Sequence, residues 1–292
     1  MMTMPDMRGK VVVITGATSG IGAVAAEQLA GMGARIVLVA RDQARAEAEL
    51  ARLREKAPGV QPSAHYADLS RLDEMKRVGR KIAAAEPRTD VLINNAGALF
   101  SHRIVTPDGL EMTFATNHVS YFVLTEMLRE RLLQSAPARV INTSSDAHQR
   151  AKLDFDDLQS SRGYAGFKVY GRSKLANILY TRELARRLAG TGVTANSLHP
   201  GFVATRFGDS SGGAFSVMVR IAKNFAISPE KGAETIVYLA SSEEVANVSG
   251  EYFYKCRATT PAKEARNDED ARRLWQESER LAGLTAQQHA QH

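Results

Sequence analysis

Two side chains that could carry out acid–base chemistry, Tyr170 and Lys174, lie four residues apart in the segment Tyr-Gly-Arg-Ser-Lys. A free tyrosine has a pKa of about 10 and is a poor base, but a lysine one helical turn away favours its anion. The same spacing also occurs as an ordinary surface pair on helices. The pair therefore predicts a catalytic proton donor and acceptor only if other motifs in the chain indicate a reaction that needs one.

A glycine-rich turn near the N-terminus suggests such a reaction. The apolar run Lys10 to Ile14 predicts a buried strand and Ala23 to Gly31 a helix, with Gly16, Gly20 and Gly22 between them. Glycines let the backbone approach a pyrophosphate, whose charge then lies at the amides of the helix N-terminus. The spacing is Gly-x-x-x-Gly-x-Gly, a variant of the usual dinucleotide fingerprint, so it needs support from its context.

The end of the next predicted strand, Arg35 to Ala40, bears on the choice of cofactor. An NAD site places an acidic residue there to hold the ribose 2′-hydroxyl, whereas this chain has Ala40 followed by Arg41. A guanidinium suits a 2′-phosphate, so the sequence predicts NADP. Two alternatives remain open: Arg41 is a solvated residue beside the helix N-cap Asp42, or Asp42 is itself the ribose acid and the chain prefers NAD.

Further polar turns follow later predicted strands. Asp68 and Leu69 follow a short strand, where the acid is expected to meet an adenine amino group. The run Val91 to Gly97 reads as a buried strand ending in a turn of small and polar residues, at the sheet edge where ligands bind. Its asparagines, Asn94 and Asn95, could equally cap their own turn.

The whole chain of 292 residues, 44% hydrophobic, predicts an α/β fold. Strands alternate with amphipathic helices, which favours a single-domain Rossmann-type, doubly wound parallel sheet with helices on both faces. We expect one domain over residues 1–292, with its core at about 10–284 and a short polar tail.

Net charge, cysteine content and the lengths of the apolar stretches restrict which classes of protein are expected. The net charge of +6 comes from basic residues interleaved with acids on helix faces, which predicts no nucleic-acid binding. The single cysteine, Cys256, fits a reducing cytoplasm. Met1 to Arg8 is short and polar, and no apolar stretch reaches the roughly 20 residues of a spanning helix, so neither an anchor nor a transmembrane segment is expected.

Taken in order, the segments TGATSGIG, NNAG, Ser144-Ser145 and YGRSK resemble those of the short-chain dehydrogenase/reductase family. The resemblance runs from about residue 10 to about residue 284. Within the family the chain is most similar to the retinol dehydrogenase group, through residues 114–122, 173–177 and 271–275. The short polar segment Met1 to Arg8 is not expected to form the N-terminal anchor that the membrane-bound members carry.

The resemblance implies catalytic roles. Tyr170 would be the acid/base, and Lys174 would bind the nicotinamide ribose and lower the tyrosine pKa. Ser145 would polarise the substrate oxygen and is preferred to Ser144 because the second serine matches the family position. Asn117 would hold a helix kink and the water of a proton relay. A serine and a tyrosine hydroxyl converging on one carbonyl oxygen would stabilise its developing charge.

The predicted cofactor is NADP, with NADPH preferred over NADH. The predicted contacts with it are Gly16, Ser19, Gly20, Ile21, Gly22, Arg41, Asp68, Leu69, Asn94, Ala96, Gly97, Tyr170, Lys174, Pro200, Gly201, Val203 and Thr205. Of these residues, Val203 and Thr205 would contact the carboxamide of the nicotinamide ring. The segment Arg206 to Ser228 mixes glycines with apolar residues and is expected to form a mobile lid, or alternatively an ordinary amphipathic helix.

These observations predict an NADP(H)-dependent oxidoreductase that interconverts a lipophilic alcohol and its aldehyde or ketone. The alternatives are reduction of an activated carbon–carbon double bond and a nucleotide-binding scaffold without turnover. A homodimer or homotetramer could form through helices predicted at about 108–133 and 169–189. Apolar residues there, such as Leu124, Leu128 and Leu132, could equally be core of the same chain.

Overall fold

The apolar, β-branched runs of the sequence form the strands of one sheet in the structure, a computed structural model that describes residues 5–201 and 227–284. The strands are β1 (Val11–Thr15), β2 (Arg35–Ala40), β3 (Ser63–Tyr66), β4 (Val91–Asn94), β5 (Ala138–Thr143), β6 (Val193–Leu198), β7 (Tyr252–Tyr254) and β8 (Arg257–Ala258). The prediction for β2 is confirmed to the residue.

Across the described residues the strand order is β3-β2-β1-β4-β5-β6-β7-β8. Strands β1 to β7 pair in parallel, and β8 forms a short antiparallel hairpin with β7. After β3 the chain crosses back and places β4 on the other side of β1. Such a switch point opens a crevice at the carboxyl edge of a sheet. The glycine turn after β1 and the turn of small and polar residues after β4 both lie at this edge.

Helices connect the strands. They are α1 (Gly20–Gly31), α2 (Gln43–Lys56), α3 (Leu72–Ala85), α4 (Met112–Phe114), a π-helical segment (Ala115–Val119), α5 (Ser120–Gln134), α6 (Gly166–Arg187), α7 (Pro229–Ser241) and α8 (Asp268–Ala282). The helix predicted at 108–133 therefore begins later and contains a π-helical turn. None of the helices in the described ranges has the length and apolar composition needed to cross a bilayer.

The sheet is covered on both faces, as predicted. On β1, Val11 and Val13 pack into a core layer with α3, α5, α6 and α8, whereas Val12 and Ile14 face a second layer with α1, α2 and α7. Successive side chains of a strand point to opposite faces, so a continuous apolar run fills both layers. This confirms the doubly wound α/β fold.

The apolar stripe of α5 belongs to the core of its own chain. Leu124, Leu128 and Leu132 are each at most 2% exposed. The C-terminal helix α8 packs on α6, and its Trp275 lies with ring centroids 5.1 Å from Phe122 and 5.7 Å from Tyr180. The stripe is thus covered from within the chain, and an oligomer stays a prediction.

Candidate active site

The glycine turn between β1 and α1 is shaped by close backbone approach. Gly16 has φ +66°, and a Cβ there would lie 2.7 Å from the Cα of Ala96. A Cβ on Gly22 would collide with the carbonyl oxygen of Gly16 and come within 2.6 Å of the Asn95 amide nitrogen. Side chains at either position would displace the neighbouring turn, so the spacing of these glycines follows from the shape of the crevice.

Strand β4 is joined to this turn by a polar clamp. The hydroxyl oxygen of Thr15 accepts hydrogen bonds from the backbone N–H groups of Asn95 and Ala96, both at 2.9 Å. The side-chain amide of Asn95 donates to the carbonyls of Thr15 at 3.2 Å and Gly16 at 3.1 Å. Asn95 therefore caps the neighbouring glycine turn rather than its own.

The side chain of Asn94 lies in the core below the crevice. It is fully buried, and its amide nitrogen donates to Thr125 Oγ1 at 3.1 Å and Asn142 Oδ1 at 2.9 Å. These contacts tie β4 to β5 and α5 below the crevice. Both donors of the Asn94 amide are thus used inside the core, and the contact of this residue with the cofactor stays a prediction.

The N-terminus of α1 opens on the crevice. Ser19 is the exposed N-cap residue, and its side chain makes no capping hydrogen bond to the helix. The first amides of a helix need an acceptor, and an anion such as a pyrophosphate provides one. Ile21 is half-buried in the same turn. This geometry fits the phosphate-binding role predicted for residues 16–22.

At the end of β2, Arg41 and Asp42 are both exposed. The Asp42 carboxylate accepts from the backbone N–H of Arg45 at 3.0 Å and caps α2. This capping bond uses one oxygen of Asp42, the alternative candidate for a ribose hydroxyl. Arg41 lies one residue past the buried Ala40, where its guanidinium reaches solvent at the carboxyl edge of the sheet.

Other predicted cofactor contacts lie along the same edge. The Asp68 carboxylate accepts from the N–H and the hydroxyl of Ser70, at 3.0 and 2.8 Å, and Leu69 is buried. Pro200 and Gly201 follow β6, and the Gly201 N–H donates to the His199 ring at 3.2 Å. Val203, Thr205 and residues 206–226 of the predicted lid lie outside the described residues.

Helix α6 carries Tyr170 and Lys174 on one buried face, 8% and 2% exposed. A side-chain hydrogen bond joins Tyr170 to Ser145, which follows β5. The Lys174 ammonium lies 5.6 Å from the centroid of the tyrosine ring and donates to the Thr143 carbonyl at 3.0 Å. The structure thus brings together the three side chains that the sequence predicts to act together.

The two adjacent serines have different surroundings. Ser144 is 2% exposed, and its hydroxyl donates to the backbone carbonyl of Lys174 at 2.8 Å. Ser145 is half-buried, and its hydroxyl oxygen accepts the N–H of Ala147 at 3.2 Å, which leaves its own hydrogen available. Only Ser145 touches Tyr170 in this arrangement, which agrees with the choice of the second serine.

Asn117 lies in the π-helical segment, at the position where the sequence predicts a kink. Its side chain accepts from the Ala98 N–H at 2.8 Å and donates to the Ala98 carbonyl at 2.9 Å and to Ser173 Oγ at 3.0 Å. Its backbone carbonyl accepts from the Asn177 amide at 2.9 Å. Gly97 packs closely against both Asn117 and Lys174. A Cβ at this position would lie 3.3 Å from Asn117 Oδ1 and 3.4 Å from the Lys174 ammonium.

The prediction that Lys174 lowers the pKa of Tyr170 is wrong for the chain by itself. Burial raises the pKa of Tyr170 to about 12, and the hydrogen bond with Ser145 opposes this rise only in part. Burial also lowers the pKa of Lys174 to about 7. A lysine that is itself poorly solvated loses much of the charge that would favour the tyrosinate.

Two residues beside this centre, Gly171 and His148, were not among those predicted from the sequence. A Cβ on Gly171 would lie 2.7 Å from the carbonyl oxygen of Ala147, so the glycine lets the turn that follows Ser145 lie against α6. His148 is fully buried in that turn. The only sequence signal for either was its closeness to Tyr170 or Ser145, because neither residue belongs to a periodic pattern.

The site as a whole fits a nicotinamide dinucleotide. The glycine turn leaves no room for side chains, and the N-terminus of α1 has no side-chain cap. The Lys174 ammonium lies beside the hydroxyls of Ser145 and Tyr170 at the same edge of the sheet.

The chain belongs to the short-chain dehydrogenase family. Residues 10–214 match the family model described as short chain dehydrogenase. The chain is 43% identical to retinol dehydrogenase 13 of Homo sapiens over 284 residues, which cover 95% of this chain and 86% of the relative. It is 41% identical to retinol dehydrogenase 12 of Mus musculus, with 97% and 89% coverage. The expected family and its retinol dehydrogenase-like group are confirmed.

Solved structures agree with this assignment. A putative uncharacterized protein from Mycobacterium paratuberculosis superposes with a TM-score of 0.77 at 31% identity, covering 96% of each chain. A short chain dehydrogenase from Burkholderia cenocepacia, solved in complex with NADP, gives a TM-score of 0.69 at 25% identity, covering 89% of this chain and 99% of that one. The chain is therefore an oxidoreductase of the Rossmann type.

Proposed function

We propose that this protein is an NADP(H)-dependent oxidoreductase that interconverts a lipophilic alcohol and its aldehyde or ketone. The observation that carries the proposal is the hydrogen-bonded pair of Tyr170 and Ser145 beside the Lys174 ammonium. A carbonyl oxygen placed between the two hydroxyls would receive a hydrogen bond from Ser145 and a proton from Tyr170. Both hydroxyls act on the same developing negative charge.

A bound nicotinamide cofactor supplies the hydride for reduction or accepts it for oxidation. Tyr170 donates its proton to the substrate oxygen in reduction and takes a proton from the alcohol in oxidation. The raised pKa of Tyr170 keeps the phenol protonated at neutral pH, which favours its role as donor. Lys174 and Asn117 would hold the surrounding geometry, and the ammonium of Lys174 would donate hydrogen bonds to the ribose hydroxyls of the bound cofactor.

The preference for NADP rests on Arg41. Its exposed guanidinium at the end of β2 offers a planar, charged partner for a 2′-phosphate, while the neighbouring Asp42 is used to cap α2. The similar Burkholderia cenocepacia structure was solved in complex with NADP, which supports nicotinamide nucleotide binding.

The proposed substrate class rests on two observations. Phe167 is 58% exposed on the first turn of α6, and its ring centroid lies 6.4 Å from that of Tyr170. An exposed aromatic ring next to the reacting hydroxyl offers apolar surface to the substrate. The similar retinol dehydrogenases are named for a lipophilic alcohol.

The test follows the loss of NADPH absorbance when purified protein is incubated with aldehydes of increasing chain length. We expect turnover with NADPH that improves with chain length. Ser145→Ala should lower kcat about 100-fold, the usual effect of removing one donor to a developing oxyanion. Its matched control, Ser144→Ala, keeps the hydroxyl that faces Tyr170 and should retain most of kcat. Full activity in Ser145→Ala, or none in the native protein with any carbonyl, would contradict the proposal.

A further inference from the structure

His148 lies between the catalytic serine and the C-terminal part of the chain. It belongs to the short 3-10 helix Asp146–Arg150, whose N-cap residue is Ser145. The imidazole is completely buried. One ring nitrogen, Nδ1, lies 2.7 Å from the backbone carbonyl oxygen of Ser145, and the other, Nε2, lies 3.2 Å from the backbone nitrogen of Ala262.

The chemistry of these two partners fixes the tautomer of His148. A carbonyl oxygen can only accept a hydrogen bond, so Nδ1 must carry the hydrogen. A backbone N–H can only donate, so Nε2 must present its lone pair. One neutral tautomer satisfies both contacts, and burial lowers the pKa of His148, which keeps the ring neutral.

The Ser145 carbonyl is held by two donors from the same residue. In addition to Nδ1, the backbone N–H of His148 donates to this oxygen at 3.2 Å. The ring packs edge-on against Tyr252 of β7, with centroids 5.0 Å apart. On the other side of the turn, the absence of a Cβ at Gly171 lets the Ala147 carbonyl lie against α6. The turn is therefore fixed on both sides.

We propose that His148 is a positioning residue for Ser145, because it holds the Ser145 carbonyl so that the Ser145 hydroxyl stays against Tyr170. Through its bond with Ala262, His148 also makes the position of Ser145 depend on the C-terminal segment. This inference rests on the proposed function, in which the Ser145 hydroxyl polarises the substrate oxygen. The bond from Ala262 spans 114 residues of sequence, so the C-terminal segment contributes to the catalytic centre without touching the substrate.

Two substitutions separate the two contacts of the ring. In His148→Asn the amide nitrogen takes the place of Nδ1 and can still donate to the Ser145 carbonyl, but it cannot reach Ala262. In His148→Gln the longer amide reaches the place of Nε2 and can still accept from Ala262, but the donor to Ser145 is lost. Both variants leave a smaller side chain in the core, so their losses of thermal stability should be similar.

The readout is kcat at saturating substrate, measured together with NADPH affinity. We expect His148→Gln to lose about 10- to 100-fold in kcat, as expected for a misplaced catalytic group. His148→Asn should recover most of that loss. NADPH affinity should be native in both. A merely structural role for His148 would lower kcat in both variants in parallel with their stability, and that result would overturn the inference, as would native kcat in His148→Gln.

A double-mutant cycle distinguishes this inference from the proposed function. If His148 acts through the Ser145 hydroxyl, adding His148→Gln to Ser145→Ala should lower kcat no further. Independent, multiplying losses would overturn the inference. Native turnover in Ser145→Ala alone would refute the role of Ser145 in the proposed function, whereas an impaired Ser145→Ala beside a fully active His148→Gln would refute only the role of His148.

Should a histidine variant fail to fold, Ala262→Pro gives an independent measurement. It removes the N–H that Nε2 accepts and leaves His148 and Ser145 in place. We expect a several-fold lower kcat with unchanged NADPH affinity. Native kcat in a folded Ala262→Pro protein would overturn the dependence of Ser145 on the C-terminal segment.

Discussion

The cofactor crevice and the catalytic centre share one edge of the sheet but are built differently. The crevice is shaped by missing side chains, at Gly16 and Gly22, and by one clamp between Thr15 and Asn95. The catalytic centre is held by buried polar groups from β5, the π-helical segment, α6 and the C-terminal segment. The geometry of the cofactor crevice therefore depends on local backbone conformation, whereas the geometry of the catalytic centre depends on how elements far apart in the chain pack together.

The difference explains where substitutions should act. A change in the crevice alters the space available to the cofactor and should appear in nucleotide affinity. A change in the catalytic centre alters the relation between hydroxyls that touch the substrate and should appear in kcat. Each of the following measurements compares the two regions through these two quantities.

The largest effect is expected from Tyr170→Phe in the catalytic centre. Removing the proton donor while keeping the ring should lower kcat by about 100- to 10,000-fold, the usual contribution of general acid–base catalysis. NADPH affinity should be nearly unchanged. Tyr238→Phe removes a tyrosine hydroxyl on α7, where it donates to Glu244, and serves as the control that retains turnover. Substantial turnover in Tyr170→Phe would refute the mechanism.

In the crevice, Arg41→Ala should weaken NADPH binding by about 1.5 to 3 kcal/mol, the range for a lost hydrogen bond to a charged group. NADH binding should be nearly unchanged, because NADH lacks the 2′-phosphate. Lys56→Ala at the other end of α2 controls for the loss of a positive charge. Equal losses for the two nucleotides, measured by titration, would contradict the assignment of Arg41.

Two glycine substitutions compare the regions directly. Gly22→Ala and Gly171→Ala each place a Cβ within 2.7 Å of neighbouring atoms, so each should lower the free energy of unfolding by about 1 to 3 kcal/mol. Gly22→Ala should then weaken NADPH binding, whereas Gly171→Ala should lower kcat. Gly31→Ala, where a Cβ would meet nothing within 4 Å, is the control. The same kinetic effect from both substitutions would show that the two regions are not separate.

The last comparison concerns the pH dependence of the two reaction directions. Because the pKa of Tyr170 is raised to about 12, the tyrosinate needed for alcohol oxidation is scarce at neutral pH and increases as pH rises. Oxidation should therefore increase about tenfold per pH unit between about pH 7 and pH 10, while reduction, which needs the protonated phenol, stays nearly constant. A plateau in oxidation below about pH 9 would show that Lys174 and the bound cofactor lower the pKa after all.

Local patterns predicted much of this molecule. The run Arg35–Ala40 is apolar and β-branched along its length, and it forms β2 with those bounds. The spacing of Tyr170 and Lys174 placed both on one face of α6, since side chains four residues apart on a helix are neighbours. The kink at Asn117, which the family resemblance implied rather than a local pattern, corresponds to the π-helical segment.

Other properties depended on burial, which a linear pattern does not report. Asn94 and Asn95 are adjacent and identical in type, yet one bonds β5 and α5 in the core and the other clamps the glycine turn. The pKa of Tyr170 follows from its desolvation more than from its lysine neighbour. The apolar face of α5 could have faced a partner, and α3 and α8 of the same chain cover it.

By itself the sequence determined the doubly wound sheet and the glycine turn, because these depend on period and steric size, and it supplied the candidate reacting side chains through their chemical type and a family resemblance. Only the tertiary structure decided which asparagine faces the crevice, and that His148 joins Ser145 to Ala262. Those outcomes depend on contacts between elements far apart in the chain, whose geometry is set when the two core layers pack on the sheet.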